Sequence, residues 1–198
     1  EHIQNILQCR IKRLTNDTDV KITPDQAWLL SDSYFGSCHD LVIGQRHYIE
    51  DAQTDLDKCA SGDLSAEEHY EFFNITIRGI EDIYHANRYV RYVSVFQNWL
   101  RPAGATFDHL HKQLVGMDEW GASIEEGVQA LHREPHIYNL LVVNFAQNTN
   151  RVLADNKHAI AFVDIGHRFP TIAVFSKSHH TSPLDHTPEE VRDFSDMV

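Results

Sequence analysis

The chain has 198 residues, a formal net charge of −12, and 42% hydrophobic against 23% charged residues. That balance fits a soluble globular protein of one domain, or most of one. The acidity excludes a sequence-independent binder of nucleic acid polymers, which needs a basic face, and no apolar run approaches the ~20 residues of a membrane span.

Cys9, Cys38 and Cys59 are odd in number and widely spaced, which is no disulfide framework. A reducing, cytoplasmic setting is therefore expected. No signal-peptide pattern opens the chain. There is no initiator methionine either, so the chain reads as a fragment or a processed form. A nucleotide substrate is compatible with the charge, because a pocket needs only local positive charge. Arg46, Arg88, Arg91, Arg101, Lys112 and Arg168 lie near the motifs that follow.

Residues 1–24 carry no functional signal: 1–14 read as a short helix or strand, and 15–19 as a polar turn. From Ala27 the chain is apolar through Trp28, Leu29, Leu30, Tyr34 and Phe35, closing at Gly36. The run Cys38-His39-Asp40-Leu41-Val42-Ile43-Gly44-Gln45-Arg46-His47 reads as a strand with a histidine beyond its end. Ser65-Ala66-Glu67-Glu68 is a capping box. Phe73, Ile77, Ile80 and Tyr84 then mark the apolar face of a helix in which His69 and His85 are expected to be solvated.

Residues 89–97 are β-branched and aromatic, a strand composition. Pro102 and Gly104 break it into a loop. The chain re-enters as a second strand over 108–117, beginning His109-Leu110-His111-Lys112-Gln113. Strand side chains alternate with period two, so His109, His111 and Gln113 are expected on one face. A neutral imidazole is a nucleophile near pH 7, and an amide two residues on can donate to an oxyanion without a charge of its own. Such a row suits attack on a phosphoryl group.

Ser123-Ile124-Glu125-Glu126 is a second capping box, opening a helix to about residue 132. Another helix is expected over 135–147, with Ile137, Leu140, Leu141 and Phe145 on its apolar face. Residues 151–176 read as a strand meander: 151–155, the turn Asn156-Lys157, 159–163, then 171–175 after Pro170. Thr187-Pro188-Glu189-Glu190 is a third capping box, with proline at the first helical position. Leu41-Val42-Ile43, His47 and Ser65–Glu68 thus repeat as Ala173-Val174-Phe175, His179 and Thr187–Glu190. The fold class expected is α+β: an antiparallel sheet with packed helices, in tandem pseudo-duplicated modules of which the second is truncated. The divisions are an N-terminal segment 1–24, a first module 25–120 carrying the site, a helical connection 121–150 and a partial second module 151–198.

Phe96-Gln97-Asn98, Gly104-Ala105-Thr106 and His109-Leu110-His111-Lys112-Gln113 together resemble the active-site segment of the galactose-1-phosphate uridylyltransferase family, a branch of the histidine-triad superfamily. There the pattern runs Phe-Glu-Asn, a glycine-containing loop, then His-Pro-His-Gly-Gln, so Leu110 and Lys112 depart from it. The stretch from Cys38 to His47 resembles the Gly-His-x-Leu-Val-Ile-Pro-Lys-x-His strand of histidine-triad proteins. The resemblance implies a histidine-triad-like fold and a nucleotidyltransferase. In that reading His111 is the nucleophile and the backbone carbonyl of His109 fixes its other ring nitrogen. Gln113 binds a phosphoryl oxygen. Asn98, with Gly104, Ala105 and Thr106, serves the phosphate or sugar. The implied substrates are a nucleotide sugar and a sugar 1-phosphate, with uridylyl as the group moved, and the implied assembly is a homodimer. It also implies a structural zinc held by His47 and His109 with two cysteines of a Cys-x-x-Cys, a motif this sequence lacks. The missing ligands either precede residue 1, are replaced by others, or the site is empty. Two alternatives stand beside the transferase: a hydrolase or phosphorylase of dinucleotides or nucleoside phosphoramidates, and a non-catalytic nucleotide-binding module.

Overall fold

The computed structural model describes residues 2–35 and 39–198, the side chains of 2–3 and 31–35 excepted. Cys38 and Gly36 therefore lie outside the described residues. The chain divides into two compact units: Glu1–Cys59 with Arg78–Trp120, and Ala60–Ile77 with Gly121–Val198. Each contains one three-stranded antiparallel sheet, so the fold is α+β with two small sheets and helices.

In the first unit, the described part of the 1–14 stretch, from His2 on, is helix rather than strand. Leu7 and Ile11 lie one turn apart and bury with Ile22 and Ala27, joining α1 (His2–Thr15) to α2 (Pro24–Phe35) as a hairpin. Thr23 and Gln26 cap α2 reciprocally: Gln26 Oε1 accepts from the Thr23 amide at 2.8 Å, and Thr23 Oγ1 from the Gln26 amide at 3.3 Å. Arg10 and Arg13 of α1 both pair with Asp118, the former at 3.1 Å.

The first sheet has the order β1 (His39–Ile43), β3 (His111–Met117), β2 (Tyr92–Phe96), so the site strand is central. β2 and β3 are shorter than the 89–97 and 108–117 read from composition. Pairing begins only at His111, which leaves His109 in the approach loop. The face bearing Leu114 and Gly116 meets α3 (Ala66–Ala86). A Cβ on Gly79 would come within 2.8 Å of the Leu114 side chain, and one on Gly116 within 2.9 Å of Ile83, so both glycines serve close approach.

The Ser65–Glu68 capping box forms, with bonds of 2.8 and 3.3 Å. The most deeply buried stripe of α3 is Phe72, Thr76, Ile80 and Ile83, rotated from the expected Phe73, Ile77, Ile80, Tyr84. A threonine fits this stripe because its hydroxyl donates to the Phe72 carbonyl at 2.6 Å, within the helix. His69 is not solvated as expected: it is half-buried and donates from Nε2 to the Ser61 carbonyl at 2.7 Å.

The second unit holds α4 (Ala122–Arg133), a π-helical turn (Asn139–Val143) running into α5 (Asn144–Asn148), the sheet β4 (Val152–Asp155), β5 (Ala159–Asp164), β6 (Thr171–Ser176), and α6 (Pro188–Ser195). Two expectations are corrected. α4 starts behind Gly121, whose φ of 77° turns the chain in, so Ser123 lies inside the helix and caps nothing. The expected face of Leu140, Leu141 and Phe145 is exposed, and Val142, Val143 and Ala146 pack on Ile160 and Phe162 instead. The π turn spaces its bonds at i→i+5 and shifts the face around the axis. The Thr187 capping box of α6 forms, its side chain accepting from the Glu190 amide. Strand, histidine and capped helix do recur in the expected order: β1, His47, α3, and then β6, His179, α6.

Candidate active site

His111 opens β3 opposite Ile43 of β1, and Gln113 lies between Leu41 on one side and Phe96 on the other. Two residues apart on a strand, His111 and Gln113 share a face. The β2–β3 pairing ends with Phe96 opposite Gln113, and Asn98 follows two residues beyond the end of β2. Leu110, Lys112 and Leu114 point to the opposite face by the same alternation; Leu110 and Leu114 are buried there. Both departures from the uridylyltransferase pattern, Leu110 and Lys112, thus fall on the side of the strand away from the histidine row. Burial draws the Lys112 ammonium down to about 8 from its ordinary 10.5.

His111 is 2% exposed. Its Nδ1 lies 2.7 Å from the carbonyl oxygen of His109. A carbonyl only accepts, so Nδ1 carries the proton and Nε2 the lone pair when the ring is neutral. The phenyl ring of Phe107 stacks on the imidazole, centroids 4.0 Å apart and planes 22° from parallel.

His109 sits two residues before the strand. Its Nε2 donates to the Gly44 carbonyl at 2.7 Å, and the Gly44 amide donates to the Leu110 carbonyl at 2.7 Å. Gly44 therefore anchors the approach loop with both of its backbone groups. The second bond requires an N–H, which the proline at this place in the histidine-triad strand lacks. A Cβ here would come within 3.1 Å of the Leu110 oxygen. Asp108 is tied to Lys58 at 2.5 Å. Lys58, with Arg101 and His47 nearby, holds the Asp108 carboxyl below its ordinary range.

The loop between β2 and β3 closes on itself. The amides of Ala103 and Ala105 both donate to the Leu100 carbonyl, at 3.2 and 3.1 Å. Leu100 has φ 61° and Gly104 φ 89°, and a non-glycine residue at positive φ is strained. A Cβ on Gly104 would lie 3.8 Å from Asn98 Nδ2, so these two predicted site residues are neighbours. Ala105 is buried, while Thr106 is exposed.

His47 and His109 come together, ring centroids 4.8 Å apart. The Nδ1 of His47 is buried with no hydrogen-bond partner, which suits a metal ligand. A tetrahedral zinc needs four donors, and among the described residues no group of three His, Cys, Asp or Glu converges. Cys9 is exposed on α1 and Cys59 is buried, its amide donating to the His47 carbonyl at 3.0 Å. His47 and His109 alone do not complete a tetrahedral zinc site.

A protein-family model, "Domain of unknown function (DUF4921)", matches residues 1–198. The chain belongs to the DUF4921 family. A comparison with curated protein sequences finds no match. Among solved structures, this DUF4921 chain is similar to a uridylyltransferase mutant at TM-score 0.61 and 16% identity, over 80% of this chain and 50% of that one. It is similar to a second uridylyltransferase structure at TM-score 0.57 and 18% identity, over 69% and 44%. It is also similar to a GalT-like protein from Arabidopsis thaliana at TM-score 0.58 and 12% identity, over 80% and 58%. At these identities the likeness shows a uridylyltransferase-like fold. The chain spans about half the length of the solved structures it matches. Among the described residues of the DUF4921 chain, no helix is long and apolar enough to cross a membrane.

Phe107, Lys58, Asp108 and Gly44 belong to the site and were not legible as site residues from sequence. Phe107 acts through a ring stack four residues away, Lys58 and Asp108 through a pair distant in sequence, and Gly44 through its backbone. For Gly44 alone a signal existed, in the glycine standing where the resembling strand has proline.

Proposed function

We propose that this DUF4921 chain carries the nucleotidyl-accepting site of a nucleotidyltransferase, with a nucleotide sugar as donor and a sugar 1-phosphate as acceptor. The observation that carries the reading is the 2.7 Å bond from His111 Nδ1 to the His109 carbonyl, which leaves Nε2 with its lone pair. Nε2 of His111 attacks the α-phosphorus; the Nε2–P bond forms, the bond from phosphorus to the bridging oxygen breaks, and its electron pair leaves with the sugar 1-phosphate. A phosphate oxygen of the acceptor then attacks the same phosphorus, and the P–N electron pair returns to Nε2. The proton stays on Nδ1 throughout, stabilised by the His109 carbonyl.

Gln113 holds a non-bridging phosphoryl oxygen by its amide N–H. Asn98 and the 104–106 loop hold the remaining phosphate or the sugar. Because an amide has no titratable proton near pH 7, Gln113 gives water no acid–base help, and the covalent intermediate waits for an acceptor. His47 and His109 would be ligands of a structural zinc completed by donors beyond the pair.

Intact-protein mass after incubation with UDP-, ADP- and GDP-sugars tests the reading. The expected result is one nucleoside monophosphate added per chain, lost in His111→Asn, with turnover down at least a hundredfold in that variant. The addition must disappear when a sugar 1-phosphate is supplied. Steady release of nucleoside monophosphate without acceptor would make the protein a hydrolase. No addition from any donor would leave the non-catalytic module.

A further inference from the structure

One hydrogen bond at Nδ1 does not fix an imidazole. Such a bond weakens steeply only as its N–H···O angle falls below ~120°, so the ring keeps a limited range of rotation about its Cβ–Cγ axis. The Nε2 lone pair lies in the ring plane and turns with it. We propose that Phe107 is the positioning residue that removes this freedom: its phenyl face, stacked on the imidazole, sets the plane of His111 and so the direction of the attacking lone pair. The inference rests on the nucleotidyl-histidine reading above and adds a residue which that reading does not contain.

The geometry carries it in two ways. At 4.0 Å between centroids and 22° between planes, the two faces are in contact, and turning the imidazole drives one of its edges into the phenyl ring. Phe107 is also held on both sides. Upstream, the Ala105 amide closes on the Leu100 carbonyl at 3.1 Å; downstream, Asp108 is tied to Lys58 at 2.5 Å and His109 to the Gly44 carbonyl at 2.7 Å. A stacked ring on a free loop would follow the imidazole, whereas one on an anchored segment resists it. Phe107 is 38% exposed where His111 is 2% exposed. The phenylalanine is thus the outer layer of the pair, spending apolar surface in water to cover the imidazole. Alignment of a nucleophile acts on the rate of bond formation and leaves ground-state affinity alone.

The test is a series at one position, Phe107→Tyr, Phe107→Leu and Phe107→Ala, in the full chain. Two quantities are read for each: the single-turnover rate constant of nucleotidyl addition by intact mass, using the nucleotide sugar that labels wild type, and the dissociation constant of that nucleotide sugar for a variant background carrying His111→Asn. The expected rates are within threefold of wild type for Tyr, which keeps the planar face, and at least tenfold down for Leu, which keeps apolar bulk without it. Ala falls at least as far, and dissociation constants stay within threefold. A second readout needs no substrate. With isotope-labelled histidine, the wild-type His111 ring protons are shifted upfield by the phenyl ring current; the Leu variant loses that shift while its melting temperature stays within a few degrees. If Leu labels as fast as wild type, or if the loss appears in the dissociation constant, Phe107 does not orient the nucleophile, while the transferase reading stands. If wild type itself takes up no nucleotidyl group, the transferase reading falls and this inference with it.

Discussion

The approach loop to β3 holds one ring nitrogen of His111 with the His109 carbonyl and leaves the other with its lone pair. The same alternation that aims His111 at the site sends Lys112 to the other side, where burial makes its charge unwelcome. Its folded value of about 8 lies below the ordinary 10.5. Between those two pH values the unfolded chain binds the extra proton, so stability rises with pH across the window; below it, the full penalty of burying the charge is present. Lys112→Met is therefore expected to stabilise the protein at pH 7, by on the order of 3 kcal/mol, and to give no gain above pH ~10.5. Thermal melts of the two proteins at pH 7, 9 and 10.5 read this directly, and a gain that persists unchanged at the highest pH would refute the burial explanation. That His111 and Gln113 share a face was legible because a period of two needs only neighbours along the chain to be read. Phe107 was not, since a stack between a loop residue and the first residue of the strand follows no secondary-structure period.

Elements whose ends are written in local chemistry formed where they were expected. Ser65 and Thr187 each stand three residues before a glutamate and each closes its capping box. Ser123 carries the same letters and fails, because Gly121 turns the chain into α4 two residues earlier. The register of faces was less legible. The π turn before α5 moved Leu140, Leu141 and Phe145 outward, and no sequence pattern distinguishes a π turn from an α turn beforehand. Glu190 offers a test at this scale. The Ser178 hydroxyl first, then the amide and hydroxyl of Thr187, hold its carboxyl at about 2, against 4.5 ordinarily. A depressed carboxyl contributes stability above its unfolded value and loses it as pH falls through the folded one, so the contribution fades from about pH 4.5 to about pH 2. Glu190→Gln is expected to lower the melting temperature at pH 7 and to match wild type at pH 2. Equal melting temperatures at pH 7 would mean that the charged cap of α6 adds nothing.

At the scale of the molecule, the two units are not successive stretches of chain. The second takes Ala60–Ile77 from the middle of the sequence and Gly121–Val198 from its end, whereas the sequence alone suggested divisions after 24, 120 and 150. Composition could not have shown this, because α3 is one uninterrupted helix whose first part, Ala66–Ile77, is counted with the second unit. Within that unit the early segment meets α6 at several points. Phe73 packs edge-on against Phe194 with centroids 5.7 Å apart. Arg192 lies 3.9 Å over the Tyr70 ring and reaches Glu67 at 2.9 Å. A fragment of residues 121–198 keeps the β4–β5–β6 sheet and the core of Ala146, Ile160 and Phe162 but loses every one of these contacts. The aromatic pair alone is worth about 0.5–1.5 kcal/mol beyond its buried area, and Phe194 would be left with an apolar face in water. Small domains have ~5–15 kcal/mol of stability in total, and a short fragment sits at the low end because it buries a smaller share of its surface. The fragment 121–198 is therefore expected to lack a cooperative thermal transition on its own. Adding a peptide of residues 60–77 in trans is expected to raise its far-ultraviolet circular dichroism and restore protection of β5 amides from hydrogen exchange. A sharp, two-state melt of the fragment without the peptide would show that the sheet and its helices suffice, and that the inserted segment is an attachment rather than part of the unit.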